Sequence, residues 1–268
     1  MMRRTLITIS VSLILCYFFV SSARALRVSP VEFNLKVAAG ETGTFTLSVM
    51  NDTKVVQIYL INVADWYRNE KGDNIFFERS SPPPEVKKHS CRDWIDVSPA
   101  RFEVPPNSVR NIKVSVKVPP EAKGTYWAII FVEGAPRPTR HRGYTVMVVP
   151  RIGVKVYLTT PGAAVKKGRV TRMMLKKENP LTFSLTFENT GDCDLRPKGW
   201  VEIKNVRGET VRKIPIPSFP ILPGAKRVLE IKDKEKSPLS PGWYQALGII
   251  DYGGENLVAG QVVFRIKK

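Results

Sequence analysis

The stretch that decides the fold is Tyr144-Thr-Val-Met-Val-Val-Pro-Arg-Ile-Gly-Val-Lys-Val-Tyr-Leu158. Apolar residues alternate along it with the period of a β-strand. One face carries Val146, Val148, Ile152, Val154, Val156 and Leu158. Pro150 has no N–H to give to a sheet, which favours a sheet edge, a bulge or a bend at that point. The opposite face, with Met147 and Val149, is partly apolar too. We therefore predict one long edge strand with a surplus apolar face, which is either a folding hazard or a docking surface.

Short alternating segments precede this stretch at the spacing of a β-sandwich. Residues 44–50 and 109–118 each alternate apolar and polar side chains, which predicts strands with one buried face. Residues 126–132 are apolar throughout and predict a central strand that is covered on both faces.

The chain partly repeats itself after the turn at residues 159–162. Residues 182–189 echo residues 44–51, and residues 242–251 echo residues 124–131. The sequence thus predicts an all-β protein with two tandem immunoglobulin-like β-sandwich domains, residues 26–160 and residues 161–268.

Residues 1–25 have the order of a secretory signal: Arg3 and Arg4, an apolar run, then small residues up to Ala25. We expect cleavage after Ala25 and a periplasmic protein. No other stretch approaches the roughly 20 apolar residues of a membrane span, so we expect no span after cleavage.

The formal net charge is +18, and loss of Arg3, Arg4 and Arg24 leaves +15. The basic residues are spread along the chain, which favours a lysine-rich exported surface over a nucleic-acid-binding protein. The dense basic cluster is Arg137, Arg140, His141 and Arg142.

Catalysis is hard to build from the remaining residues. The chain has two histidines, His89 and His141, and no nucleophile elbow, phosphate loop or dinucleotide fingerprint. We therefore expect a protein that is not an enzyme and that has no cofactor.

Residues 89–91 and 192–194 contain histidine, cysteine and aspartate, but their spacing fits no common zinc pattern, so we expect no metal. Outside the signal, Cys91 and Cys193 are the two cysteines. Two unpaired thiols are the favoured outcome, and a bridge between the domains is the alternative.

Several segments together resemble the periplasmic chaperones of pilus and fimbrial assembly. They are Val28-Ser-Pro30, Phe45-Thr-Leu-Ser-Val-Met-Asn51, Ser98-Pro-Ala-Arg-Phe-Glu-Val-Pro-Pro106, Val109-Arg-Asn-Ile112 and Val154-Lys-Val-Tyr-Leu158. The resemblance implies a chaperone that lends the last strand of domain one to pilus or other envelope subunits, through Val146, Val148 and Ile152.

In that family two cations hold the carboxylate terminus of the subunit, and the resemblance places Lys155 as the first. The second position carries Glu32 instead of a basic residue, and Arg27 is the nearby cation. The alternative is a structural or adhesive envelope module without chaperone activity, which would use residues 66–90 and the basic cluster.

Overall fold

A computed structural model describes residues 26–141, 143–162, 165–235 and 237–267. The predicted signal and its cleavage after Ala25 lie outside the described residues. The described chain is nearly all β, and it confirms the predicted class of two tandem immunoglobulin-like sandwiches. The helical elements are short: α1 at Pro84–Lys87 and a 3-10 turn at Arg92–Trp94.

The first sandwich consists of two sheets packed face to face. One sheet has the order β1 (Leu26–Ser29), β3 (Thr42–Asn51), β8 (Ser108–Lys117) and β6 (Ile95–Ser98). The other has the order β2 (Glu32–Lys36), β12 (Arg151–Thr159), β9 (Thr125–Gly134), β4 (Gln57–Arg68) and β5 (Asn74–Phe77), and β7 (Arg101–Val104) also pairs with β4.

Apolar side chains from alternate positions of the strands fill the space between these two sheets. Leu47 and Val49 of β3 are fully buried, and they share one core with Val154 and Val156 of β12. Each such side chain contributes about 1.5–3 kcal/mol when it leaves water. Val154 and Val156 therefore determine which face of β12 packs against the core.

Strand β9 lies in the middle of its sheet and is buried on both faces, as predicted. Ile130 faces the core between the sheets. On the other face, Ile129 and Phe131 pack with Trp66 and with Leu222 of the second sandwich. This outer face of the sheet is where the two sandwiches meet.

The prediction of one long edge strand over residues 144–158 is wrong. The chain forms β11 (Tyr144–Val148), leaves the ladder at Val149 and Pro150, and resumes as β12. β12 is not an edge strand, because β9 pairs with it on one side and β2 runs parallel to it on the other over residues 155–159. The strand is therefore interrupted at Pro150, as the sequence at this residue allowed.

The second sandwich has sheets of three and four strands. The first has the order β13 (Gly168–Glu178), β14 (Leu181–Asn189) and β17 (Lys226–Lys232). The second has the order β16 (Thr210–Ile216), β15 (Lys198–Asn205), β18 (Gly242–Asp251) and β19 (Val258–Ile266). The predicted domain boundary between residues 160 and 161 stays a prediction, and it falls between the last strand of one sandwich and the first of the next.

The internal repeat has a structural counterpart in two buried asparagines. Asn51 ends β3 and donates to the Val55 carbonyl at 2.8 Å, and Asn189 ends β14 and donates to the Cys193 carbonyl at 2.8 Å, four residues later in both cases. Each amide oxygen accepts from the backbone N–H two residues later, at 3.0 Å in both cases. The two sandwiches thus close equivalent turns with the same side chain.

Among the described residues, Cys91 and Cys193 are buried free thiols, which is the favoured of the two predicted outcomes. Burial raises the pKa of each thiol. Within the described ranges, no group of three or more histidine, cysteine or acidic side chains is arranged to hold a metal ion. In the same residues, no helix is long and apolar enough to cross a membrane.

Candidate protein-binding site

A two-stranded hairpin extends from β9 and β12. It consists of β10 (Arg137–His141) and β11, paired antiparallel with Val146 opposite Thr139 and Val148 opposite Arg137. Gly143 provides the turn with φ of +88°, a conformation that favours glycine. The hairpin is a separate sheet of two strands, whose chain continues into the core strands at both ends.

Two prolines separate the hairpin from the main sheet. Pro136 precedes β10, and Pro150 follows β11, so each strand loses a backbone donor at this level. The Pro150 carbonyl still accepts from the Gly134 N–H at 2.9 Å, which keeps the two chains together across the interruption. The hairpin is consequently held in place but does not share the ladder of the core.

Along one edge of β11, the backbone N–H and C=O groups pair with no strand of the described residues. In the part of the chain that the structure describes, β11 pairs with β10 alone. β2 joins β12 only from Lys155 onward, so no strand of the described residues pairs with residues 151–154 on that side either. An edge of this kind is a template for an added strand.

Apolar side chains stand on both faces of β11. Val146 is 47% exposed and Val148 is 45% exposed, and they share a face on which Arg137 donates to the Gln57 amide oxygen at 2.6 Å. Tyr144 and Met147 are exposed as well. The surplus apolar surface predicted from the sequence is present, and it lies on a projecting hairpin.

Ile152 differs from the two valines. It belongs to β12, is half-buried, and packs against the core of the first sandwich. The structure therefore brings Val146 and Val148 together on the surface and places Ile152 where this row enters the core.

Lys155 lies on the opposite face of β12 from the core, at the junction of the sandwiches. Its Nζ is 4.8 Å from the centre of the Trp66 ring, and its Cα partner on β2 is Glu32. No carboxylate oxygen of the described residues lies within 4.0 Å of Nζ. Burial lowers the pKa of Lys155; Arg68 and Arg196 lower it further, whereas Glu32 raises it.

The structure does not place Arg27 with this group. Arg27 lies on β1, in the other sheet, and its Nη1 pairs with Asp52 at 3.4 Å. The charges that act on Lys155 are Arg68, Glu32 and Arg196.

Arg68 and Arg196 are the cations that reasoning from sequence missed. Arg196 holds Glu32 at 3.2 Å and Asp194 at 2.8 Å, and its Cζ is 5.0 Å from the centre of the Tyr157 ring. Glu32, which the sequence places where the resembled family has a cation, is thereby ion-paired with an arginine that it shares with Asp194. No local pattern could indicate this, since Arg196 comes from the second sandwich.

No protein-family model matches the chain, and no curated protein matches it. Solved structures do match the chain. A class 5 fimbriae chaperone, CfaA, has 11% identity and a TM-score of 0.49 and covers 91% of this chain and 99% of its own. The E. coli chaperone DraB has 17% identity and a TM-score of 0.44, covering 91% and 96%. The match to the Salmonella enterica SafA pilin in complex with the SafB chaperone has 14% identity and a TM-score of 0.42, covering 91% and 97%. All three identities are below 25%, and all three TM-scores are below 0.5.

Proposed function

We propose that the protein is an exported, non-enzymatic assembly chaperone that binds pilus or other envelope subunits by adding β11 to an incomplete sheet of the partner. The observation that carries the proposal is the free edge of β11 together with the exposed pair Val146 and Val148. Backbone hydrogen bonds from that edge would supply affinity, and the two valines would fill a matching apolar groove.

Lys155 supports a second part of this proposal, that the junction of the sandwiches holds a carboxylate of the partner. Its half-buried ammonium has no ion-pair partner among the described carboxylates, whereas Glu32 is already paired with Arg196. A carboxylate placed at Nζ would therefore meet a free cation and an aromatic ring rather than an uncompensated negative charge.

The test compares Val148→Glu with a matched control, Val263→Glu on β19. Val263 is 62% exposed, so both substitutions place a carboxylate on a surface valine of a strand. Burying the new charge in an apolar groove should weaken the partner complex by about 100-fold or more, because an unpaired charge tolerates burial poorly. The measurement is binding of the processed protein to envelope subunits whose own sheet lacks a strand.

Circular dichroism and thermal unfolding should show that both variants keep the fold. Equal subunit binding by Val148→Glu and Val263→Glu would contradict strand addition. Attachment to cell envelopes that survives both variants but is lost on deletion of residues 69–90 would favour the adhesive-module alternative instead.

A further inference from the structure

Two arginines from different sandwiches lie beside the turn that joins β4 to β5, near enough for the charge of Arg68 to act on Arg227. Arg68 is the last residue of β4, and Arg227 lies on β17. The Arg227 guanidinium is packed against Gly72 so closely that a Cβ added there would stand 2.5 Å from Nη2. Next to it, the Val228 N–H donates to the Glu70 carbonyl at 2.9 Å, which ties β17 to the turn.

Several N–H groups of these two guanidiniums have no hydrogen-bond acceptor among the described residues. Nε and Nη1 of Arg227 and Nε of Arg68 are shielded from solvent and have no hydrogen-bond partner in the described structure. Aromatic rings lie near both cations: Cζ of Arg68 is 5.7 Å from the Trp66 ring centre, and Cζ of Arg227 is 6.0 Å from that of Phe219. Rings accept cations weakly but leave N–H groups without an oxygen acceptor.

Nearby carboxylates do not neutralise the pair. Neither arginine has a carboxylate oxygen within 4.0 Å among the described residues. Asp73 is the acidic group that acts on Arg227, but its Oδ2 accepts from Asn69 at 3.0 Å. Burial and then the charge of Arg68 lower the pKa of Arg227, which is the expected effect of two guanidiniums without an anion.

We propose that Arg68 and Arg227 form a binding site for a small tetrahedral oxyanion of the phosphate or sulfate type. Two guanidiniums supply planar forks of N–H donors and a charge of two, which a dianion matches better than a single carboxylate does. The bound anion would connect the β4–β5 turn to β17 and so join the two sandwiches. This site is separate from β11 and does not depend on strand addition, although the charge of Arg68 also acts on Lys155.

The test measures thermal unfolding of the whole processed protein in sodium chloride and in sodium phosphate at equal ionic strength. Wild type should show a saturable rise in the unfolding midpoint of roughly 3–6 °C with phosphate, because a ligand that binds only the folded state stabilises it. The double variant R68Q/R227Q should lose this saturable rise. It should bind phosphate at least about tenfold more weakly in isothermal titration calorimetry.

The control is Arg265→Gln, which removes an exposed arginine that also lies near a ring, 5.9 Å from the centre of Trp243. It should retain the full phosphate response. In chloride alone, R68Q/R227Q should be no less stable than wild type, since it removes the repulsion between the two cations. The single variants R68Q and R227Q provide the same binding measurement if the double variant does not fold. A wild type without saturable phosphate binding, or variants that bind as wild type does, would overturn the proposal.

Discussion

At the scale of single residues, the surroundings of Lys155 disfavour the charged form of its side chain. The ammonium is partly withdrawn from water and lies near two other cations, so the folded protein disfavours its charge. Residues of this kind are common at binding sites, where a ligand supplies the missing opposite charge.

Lys155→Met should therefore stabilise the folded protein at pH 7. The gain is on the order of 0.5 kcal/mol after allowance for solvent screening at a half-exposed group. Because the folded state has the lower pKa, the unfolded chain keeps the Lys155 proton to a higher pH. The free energy of unfolding of wild type should thus rise as the pH increases through the interval between the two pKa values, and the variant should lack this contribution.

Urea unfolding at pH 7 and at about pH 10 measures both effects. Lys213→Met is the matched control, because Lys213 lies 4.2 Å from the centre of the Trp200 ring on an exposed part of the second sandwich. A loss of stability at pH 7 in Lys155→Met alone would show that Lys155 supports the fold instead.

At the scale of elements, two prolines lie where the β10–β11 hairpin separates from the core sheet. Alternation in the sequence predicted the strands, their faces and the surplus of apolar side chains on β11. Pro150 allowed a bend at that point, but the sequence could not show that Pro136 lies at the same level of the neighbouring strand, because only the fold brings the two prolines together. The position of Arg196 beside Glu32 was out of reach for the same reason, since it depends on contacts between residues far apart in sequence.

The double substitution P136A/P150A should join β10 and β11 to the ladder of β9 and β12. Each alanine restores a backbone N–H, and we expect slower hydrogen exchange of the hairpin amides by about tenfold or more. Hydrogen exchange followed by NMR gives the measurement. The single variant Pro215→Ala, in β16 of the second sandwich, is the control and should leave the hairpin unchanged. Unaltered exchange in the double variant would show that the prolines are not what separates the two sheets.

At the scale of the whole molecule, the arrangement of the sandwiches depends on close backbone contact. The Thr125 N–H donates to the Asp192 carbonyl at 2.8 Å, and Gly124, with φ of +82°, lies directly against that carbonyl. A Cβ at Gly124 would stand 2.6 Å from the Asp192 oxygen. The sequence predicted two sandwiches in tandem, but it contains no local signal for this contact.

Gly124→Ala should destabilise the protein by about 2–4 kcal/mol, through backbone strain and through displacement of the second sandwich. Gly208→Ala is the matched control: its φ is +78°, and nothing lies within 4 Å of an added Cβ. It should cost only the backbone term of about 1–2 kcal/mol. Urea unfolding gives both values, and equal losses would mean that the contact with Asp192 contributes nothing.

The route of the chain through the hairpin has a mechanical consequence. β11 continues covalently into β12, and β9 continues covalently into β10. β9 and β12 are paired along nine residues of β12, from Arg151 to Thr159. Tension applied along the strands between a partner held on β11 and the neighbouring strand β9 would load these hydrogen bonds side by side rather than one after another. For a load of that kind, the nine-residue pairing of β9 and β12 would resist the separation of the two strands.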